Sequence, residues 1–158
     1  MPRWTWRDGE RDPGRVALID VDGVISDGLH RQRFLDGARK DWRGFFEASR
    51  SDPPLLPGIT LLDLIDGDTL VVLLTARPES ILDDTVAWLD EYDVRWDLLI
   101  MRSRVDHIDS AAMKRLAVQE LRDAGFEPVF AMDDDRRNVT MYDEEDIPAL
   151  YVHSGYYD

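Results

Sequence analysis

The sequence contains no cysteine, and none of its apolar runs approaches the length of a membrane-spanning helix. The absence of thiols excludes disulfides and thiolate metal sites, and it fits a reducing compartment. The first residues also lack the apolar core of a signal peptide. We therefore expect a cytoplasmic protein that does not act at a membrane.

Positive charge is scarce. The 158 residues include 19 Lys and Arg against 33 Asp and Glu, a net charge of -14. This balance disfavours a broad, sequence-independent grip on nucleic acid, although it allows a local basic pocket. Lys40 and Lys114 are the only lysines, so the position of each is informative. The length and the hydrophobic content of 44% predict one globular domain over residues 1–158.

A short apolar run, Val16 to Ile19, is bounded by Pro13-Gly14 before it and Gly23 after it. An apolar residue at every position favours a strand in the centre of a parallel sheet. Asp20 and Asp22 follow this strand directly, at the end where open α/β sheets bind ligands. Two carboxylates at this spacing can share a divalent cation. The first can also attack an electrophile, while the second donates or accepts a proton.

Apolar strand patterns alternate with helical patterns along the rest of the chain. Further strands are predicted at 69–75, 98–101, 128–132 and 147–152, with Pro148 indicating an edge position. Pro78 is expected in the first turn of a helix over about 79–92, and Gly67 is expected to close the helix that Pro57 opens. The predicted fold is α/β: a three-layer, Rossmann-like parallel sheet of about five strands with helices on both faces. Trp4 and Trp6 are expected to pack on its surface from an arm or short edge strand.

Residues 24–57, here called the flap, form at most a small cap. Gly28 suggests a tight turn and a small hairpin over the acidic turn. Arg31 could reach a bound anion from there, or it could be a solvated loop residue, and Arg33 is the weaker candidate. With a cap this small the site should be open, which either admits an extended substrate such as a nucleic acid end or requires a partner to close it.

Reactive polar residues follow four of the predicted strands. They are Asp20 and Asp22, then Thr75 and Arg77, then Lys114, then Asp133 and Asp134. Parallel strands bring these positions to one edge of the sheet, where the acids alone would repel each other. Mg²⁺ resolves this, because it prefers carboxylate, carbonyl and water oxygens. Thr75, Lys114 and Arg77 suit the oxygens of a phosphate. The set predicts phosphoryl transfer through an aspartyl-phosphate.

These residues resemble the four motifs of the haloacid dehalogenase (HAD) superfamily of phosphatases over about residues 15–152. The resemblance implies that Asp20 attacks phosphorus and that Asp22, with a raised pKa, protonates the leaving oxygen and later activates water. It also implies that Thr75, Lys114 and Arg77 hold the phosphoryl group. The implied Mg²⁺ ligands are the Asp20 carboxylate, the Asp22 backbone carbonyl and Asp134, supported by Asp133, although the last two could exchange roles.

Three stretches are similar to the 3'-phosphatase domain of bacteriophage-type polynucleotide kinase-phosphatases. They are Asp20-Val21-Asp22-Gly23 followed by Arg31, Thr75-Ala76-Arg77, and Ala131-Met132-Asp133-Asp134. This similarity implies removal of 3'-phosphates from DNA or RNA ends, with a possible separate kinase or ligase partner. Two alternatives stay open, a nucleotidase for nucleoside monophosphates and a catalytically idle acidic binding module.

Overall fold

The computed structural model describes all 158 residues, and its centre is one six-stranded sheet. The strands are β1 (Arg3–Trp6), β2 (Arg15–Ile19), β3 (Leu70–Pro78), β4 (Leu98–Arg102), β5 (Glu127–Asp133) and β6 (Ala149–Tyr151). Their order across the sheet is β1-β4-β3-β2-β5-β6. Every pairing is parallel except that of β1 with β4. The predicted parallel sheet is confirmed, and β1 adds an antiparallel edge.

Helices cover both faces of this sheet. They are α1 (Trp42–Glu47), α2 (Leu56–Leu64), α3 (Leu82–Glu91), α4 (Ser110–Asp123) and α5 (Arg136–Glu144). Successive side chains of a strand point to opposite faces, so β3 contributes to two cores. Val71 and Leu73 pack in the cluster that includes residues of α2 and α3, whereas Val72 and Leu74 pack in the cluster that includes residues of α4 and α5. None of the helices combines the length and hydropathy that a bilayer crossing requires.

The two tryptophans of β1 pack as expected on the sheet's edge. The rings of Trp4 and Trp6 lie 6.3 and 5.9 Å from the ring of Phe126. The edge position predicted for the last strand is also confirmed, because β6 pairs only with β5.

Two predicted boundaries are wrong. β3 continues past Thr75 to Pro78, which ends the strand, and α3 begins only at Leu82 after a 3₁₀ turn. α2 ends at Leu64 rather than at Gly67. The guanidinium of Arg95 donates to the carbonyls of Leu62 and Ile65 at 2.8 and 2.6 Å. A side chain from a distant part of the chain therefore caps the C-terminal carbonyls of this helix, and no glycine is needed there.

The flap is helical, and the predicted hairpin is wrong. Leu29–Leu35 forms a 3₁₀ helix, which leads to α1 and a second 3₁₀ turn at Ala48–Ser51. The two ends of the flap are bound together, since Asp27 N donates to Pro53 O at 2.9 Å and Leu55 N donates to Ile25 O at 2.8 Å. These bonds close the flap beside the turn that carries Asp20 and Asp22.

Candidate active site

The turn after β2 is held in place by β5 and by a glycine. The backbone N–H of Asp20 donates to the carbonyl of Met132 at 3.0 Å. Gly23 has a φ of +82°, and a Cβ at this position would lie 2.1 Å from a carboxylate oxygen of Asp134. Only glycine fits both constraints, so the sequence Asp20-Val21-Asp22-Gly23 brings its turn against the end of β5.

Three buried carboxylates meet at this point. Asp20, Asp133 and Asp134 each place an oxygen within 4.8 Å of the others. Lys114 is the cation among them, with its Nζ 3.1 Å from Asp20 and 2.6 Å from Asp133. Burial, together with the charge of Asp133, raises the pKa of Asp20 well above its ordinary value, and Lys114 only partly offsets this. Three acids against one lysine leave the cluster short of positive charge.

Asp133 and Asp134 differ in how their oxygens are used. One oxygen of Asp133 accepts from Lys114, and the other accepts from Asp135 N at 3.0 Å and Asn138 Nδ2 at 3.1 Å. Asp134, in contrast, has one buried oxygen with no hydrogen-bond donor. An unpartnered buried carboxylate oxygen is costly unless a cation satisfies it. The donor set is therefore of the kind that binds a hard divalent cation.

A second cluster joins Asp22 to two buried arginines. Arg77 Nη2 donates to Asp22 at 2.7 Å, and Arg31 Nη2 donates to the same carboxylate oxygen. Arg31 belongs to the flap and Arg77 to β3, so Asp22 connects the two elements. The structure thus brings both predicted arginines to the site, and Arg31 is fully buried rather than solvated.

The expected raised pKa of Asp22 is wrong for this arrangement. Burial acts to raise the pKa of Asp22, but the guanidinium of Arg77 and then that of Arg31 outweigh it, and the pKa lies well below the ordinary value. Asp22 is consequently a firmly ionised carboxylate as long as both arginines bind it. It becomes a proton donor only if another anion takes over these arginines.

The residue missing from the sequence analysis is Asp52. Its carboxylate has 0% exposure and accepts from Arg31 Nε and Nη2 at 2.8 and 2.7 Å. It also accepts from the hydroxyl of Ser26 at 2.6 Å and lies 2.7 Å from His30 Nε2 and 3.4 Å from Arg77 Nη2. Asp52 therefore fixes the position of both guanidiniums.

One cavity of about 720 Å³ collects most of the predicted residues. Its lining includes Asp20, Asp22, Arg31, Thr75, Arg77 and Lys114. Asp133 and Asp134 do not line this cavity. Asp133 accepts a hydrogen bond from Lys114, and Asp134 has a carboxylate oxygen within 4.8 Å of one of Asp20. The lining contains six Lys and Arg against four Asp, which inverts the charge balance of the whole chain. This is the local basic pocket that the composition allowed.

The C-terminal residues, which the sequence did not place, close one side of the cavity. The hydroxyl of Tyr156 accepts from the backbone N–H of Gly28 at 2.7 Å and donates to Asp27 at 3.0 Å. Tyr156 and Tyr157 both line the cavity. The tail thus stabilises the start of the flap.

No protein-family model and no curated protein matches the chain, but solved structures match its fold. The class C acid phosphatase from Bacillus anthracis with tungstate bound has a TM-score of 0.65 at 14% identity, over 94% of this chain and 70% of that one. The HAD domain of effector protein Lem4 from Legionella pneumophila has a TM-score of 0.55 at 11% identity, over 91% of this chain and 88% of that one. The chain therefore has the fold of the HAD-like phosphatases.

A chain of the Pnkp1/Rnl/Hen1 RNA repair complex is also similar, with a TM-score of 0.74 at 23% identity. The match covers 96% of this chain but only 46% of that chain, so the present chain spans about half of its length.

Proposed function

We propose that this protein is a Mg²⁺-dependent phosphomonoester hydrolase that removes 3'-phosphates from nucleic acid ends. The observation that carries the proposal is that two charged clusters meet at the turn after β2, where Asp20 belongs to one and Asp22 to the other, and both of these residues line one cavity. A cation-deficient carboxylate cluster (Asp20, Asp133 and Asp134) lies next to two buried arginines that share Asp22. The HAD-like fold supports the same chemistry.

The carboxylate cluster would hold the metal. Asp20 and Asp134 would bind Mg²⁺ through their carboxylates and Asp22 through its backbone carbonyl, whereas Asp133 would keep Lys114 in place. When bound, Mg²⁺ supplies positive charge that keeps Asp20 ionised and offsets the charge of the phosphoryl oxygens. Asp20 would then attack phosphorus and form an aspartyl-phosphate, with Lys114 and the Thr75 hydroxyl donating to the phosphoryl oxygens.

Phosphate binding would also free Asp22. Arg31 and Arg77 offer planar guanidiniums, which suit phosphate oxygens as well as carboxylates. If a phosphoryl group replaces Asp22 as their partner, the charges that lower the pKa of Asp22 are withdrawn, while its burial stays. Asp22 could then carry a proton to the leaving oxygen and afterwards take one from the attacking water.

The substrate class rests on two kinds of support. The cavity is basic in a strongly acidic chain, and the flap leaves no separate cap domain over it. One of the similar chains belongs to an RNA repair complex, which supports nucleic acid ends as substrates and a separate kinase or ligase as a partner.

The experiment compares a 3'-phosphorylated oligonucleotide with free 3'- and 5'-mononucleotides, each with Mg²⁺ and with chelator. We expect the oligonucleotide to have the highest kcat/KM and chelator to abolish its turnover. Asp20→Ala should lower kcat at least about a hundredfold, because the covalent route is lost. Higher kcat/KM for mononucleotides would favour the nucleotidase alternative, and no turnover of any of the three substrates would contradict the proposed function.

A further inference from the structure

The flap presents an exposed aromatic side chain to the cavity that contains the phosphate-binding groups. We infer that Trp42 is the surface on which a nucleobase of the substrate stacks. This inference rests on the proposed phosphatase function, and it adds a binding site for the part of the substrate that does not react.

Trp42 is unusually open for a residue of its size. It is 50% exposed, yet it lines the same cavity as Asp20 and Asp22. Its ring stacks on Phe46 with a centroid distance of 5.9 Å and an interplanar angle of 24°, and Phe45 meets it edge-on at 5.8 Å. The neighbouring rings hold the indole in place while half of its surface stays accessible. A fixed, exposed aromatic ring is suited to stacking with a base.

The local sequence builds this orientation. Asp41 caps α1, with its carboxylate accepting from the backbone N–H of Gly44 at 2.9 Å. A Cβ on Gly44 would lie 2.4 Å from the other carboxylate oxygen of Asp41 and 2.9 Å from the ring of Phe34. The close approach that glycine permits therefore sets the first turn of α1, where Trp42 is the first residue.

A continuous path connects Trp42 with the reacting groups. Phe45 lies between Trp42 and Arg31, and the Arg31 guanidinium carbon is 4.5 Å from the centre of the Phe45 ring. Arg31 in turn donates to Asp22. Only one aromatic ring thus separates the exposed indole from an arginine that would hold the phosphate. A base on Trp42 would belong to the nucleotide that carries the 3'-phosphate.

The chemistry around Trp42 fits an anionic nucleotide rather than an apolar ligand. The Lys40 ammonium lies 5.7 Å from the Trp42 ring and takes part in none of the ion pairs, which leaves it able to pair with a phosphodiester. The cavity of about 720 Å³ is within the range of pockets that enclose whole small molecules, well beyond what a phosphate needs. Because every base has a π face, stacking on Trp42 would tolerate any base.

The experiment separates base binding from phosphate chemistry with two substrates. One is a 3'-phosphorylated oligonucleotide, and the other is the same oligonucleotide with an abasic 3'-terminal nucleotide. Trp42→Leu keeps an apolar side chain against Phe46 but removes the π face, whereas Trp42→Phe keeps an aromatic ring. Leu64→Ala, at an exposed residue of α2 outside the cavity, is the matched control.

We expect Trp42→Leu to lower kcat/KM about tenfold for the substrate with a terminal base and to change it little for the abasic substrate. Trp42→Phe should keep most of the activity, and Leu64→Ala all of it. An equal loss on both substrates, or no loss on either, would overturn the inference.

Binding of both oligonucleotides, measured in parallel, distinguishes the two proposals. If the wild-type protein turns over neither substrate but Trp42→Leu still weakens binding of the base-containing one, the proposed function fails and the base site stands. Turnover of both substrates without any dependence on Trp42 removes the base site alone.

Discussion

Asp20 and Asp22 lie two residues apart, yet they have opposite electrostatic surroundings. Asp20 faces two further carboxylates and one lysine, so burial and repulsion raise its pKa. Asp22 faces two arginines, so its pKa is lowered in spite of burial. The turn that follows β2 is what separates them, because it leaves Asp20 beside Lys114 and Asp22 beside Arg31 and Arg77. One short turn therefore presents one carboxyl group that resists ionisation and one that is held ionised.

Isosteric substitutions at these two positions should have opposite effects on the free energy of unfolding in chelator at pH 7. Asp20→Asn should increase it, because the substitution removes a crowded acid. Asp22→Asn should decrease it by about 1.5–3 kcal/mol, because hydrogen bonds between charged groups are lost. Urea denaturation of both variants beside the wild type measures the difference. If both substitutions changed the free energy of unfolding in the same direction, the result would contradict a raised pKa for Asp20 and a lowered pKa for Asp22.

The pH dependence gives an independent check. Because the folded-state pKa of Asp22 is lowered, ionised Asp22 stabilises the folded protein. This stabilisation is complete above the pKa of Asp in the unfolded chain, about 3.9, and disappears as the pH falls below that value. The difference in free energy of unfolding between Asp22→Asn and the wild type should therefore disappear in strong acid. The folded-state pKa of Asp20 is raised, so the wild type loses stability as the pH rises from about 4 upward. The advantage of Asp20→Asn should grow over that range.

Asp52 should be the most sensitive position of the arginine cluster. Asp52→Asn would leave two buried guanidiniums with Asp22 as their only carboxylate, and breaking a buried ion pair costs about 3–5 kcal/mol. Glu47→Gln, which breaks the exposed pair with Arg43, should change the stability far less and is the control. Thermal unfolding measures both, and equal effects would show that Asp52 contributes little.

The sequence indicates which residues could react but not which residues hold them. Asp20, Thr75 and Asp133 could be placed because each comes at the end of a visible apolar run, and Lys114 because it lies early in the helix after such a run. Asp52 could not, because it precedes two prolines in a segment that looks like a simple loop. Its role depends on contacts with Arg31 and Arg77, which are 21 and 25 residues away in sequence.

Helices and strands, too, were predictable where they depend on a local sequence pattern and not where they depend on distant contacts. The central strands β2, β3 and β4 were predictable because each contains at least four consecutive apolar residues. Helix α4 was predictable because it has an amphipathic period and an Asp109 cap. The 3₁₀ helix Leu29–Leu35 has no such pattern, and it forms with Arg31 buried against Asp52 and Phe45. The C-terminal end of α2 was misplaced because its capping group comes from another part of the chain.

That capping group is Arg95, which should be important for α2 as a whole. Its guanidinium donates to four carbonyls, those of Leu62, Ile65, Asp66 and Thr69. A lysine ammonium has three donors on a single nitrogen and cannot match this spread. Arg95→Lys should therefore destabilise the protein by about 1.5–3 kcal/mol in urea denaturation.

Arg50→Lys is the matched control, since Arg50 makes an exposed ion pair with Glu91 that either cation could form. The control should be as stable as the wild type, because an exposed ion pair contributes little. An Arg95→Lys variant as stable as Arg50→Lys would show that α2 does not need its cap.

At the scale of the whole molecule, charge limits how a nucleic acid could bind. The net charge of -14 repels a polyanion over most of the surface. Even within the basic cavity, Arg102 and Arg137 are paired with Asp106 and Asp135, which leaves Lys40 as the rim cation outside an ion pair. The protein should therefore bind a nucleic acid at its end and not along its length.

This arrangement predicts a shallow salt dependence for oligonucleotide binding. Each neutralised phosphate of a single strand contributes about 0.7 to the slope of log K against log salt concentration. One or two contacts outside the reacting phosphate give a slope of about -1. The measurement uses the Asp20→Asn variant with a labelled 3'-phosphorylated oligonucleotide, so that turnover does not interfere. Lys40→Gln in the same background should flatten the slope further. A slope steeper than about -3 would mean several more phosphate contacts than the cavity provides, and the strand would then have to follow a surface that the charge distribution makes repulsive.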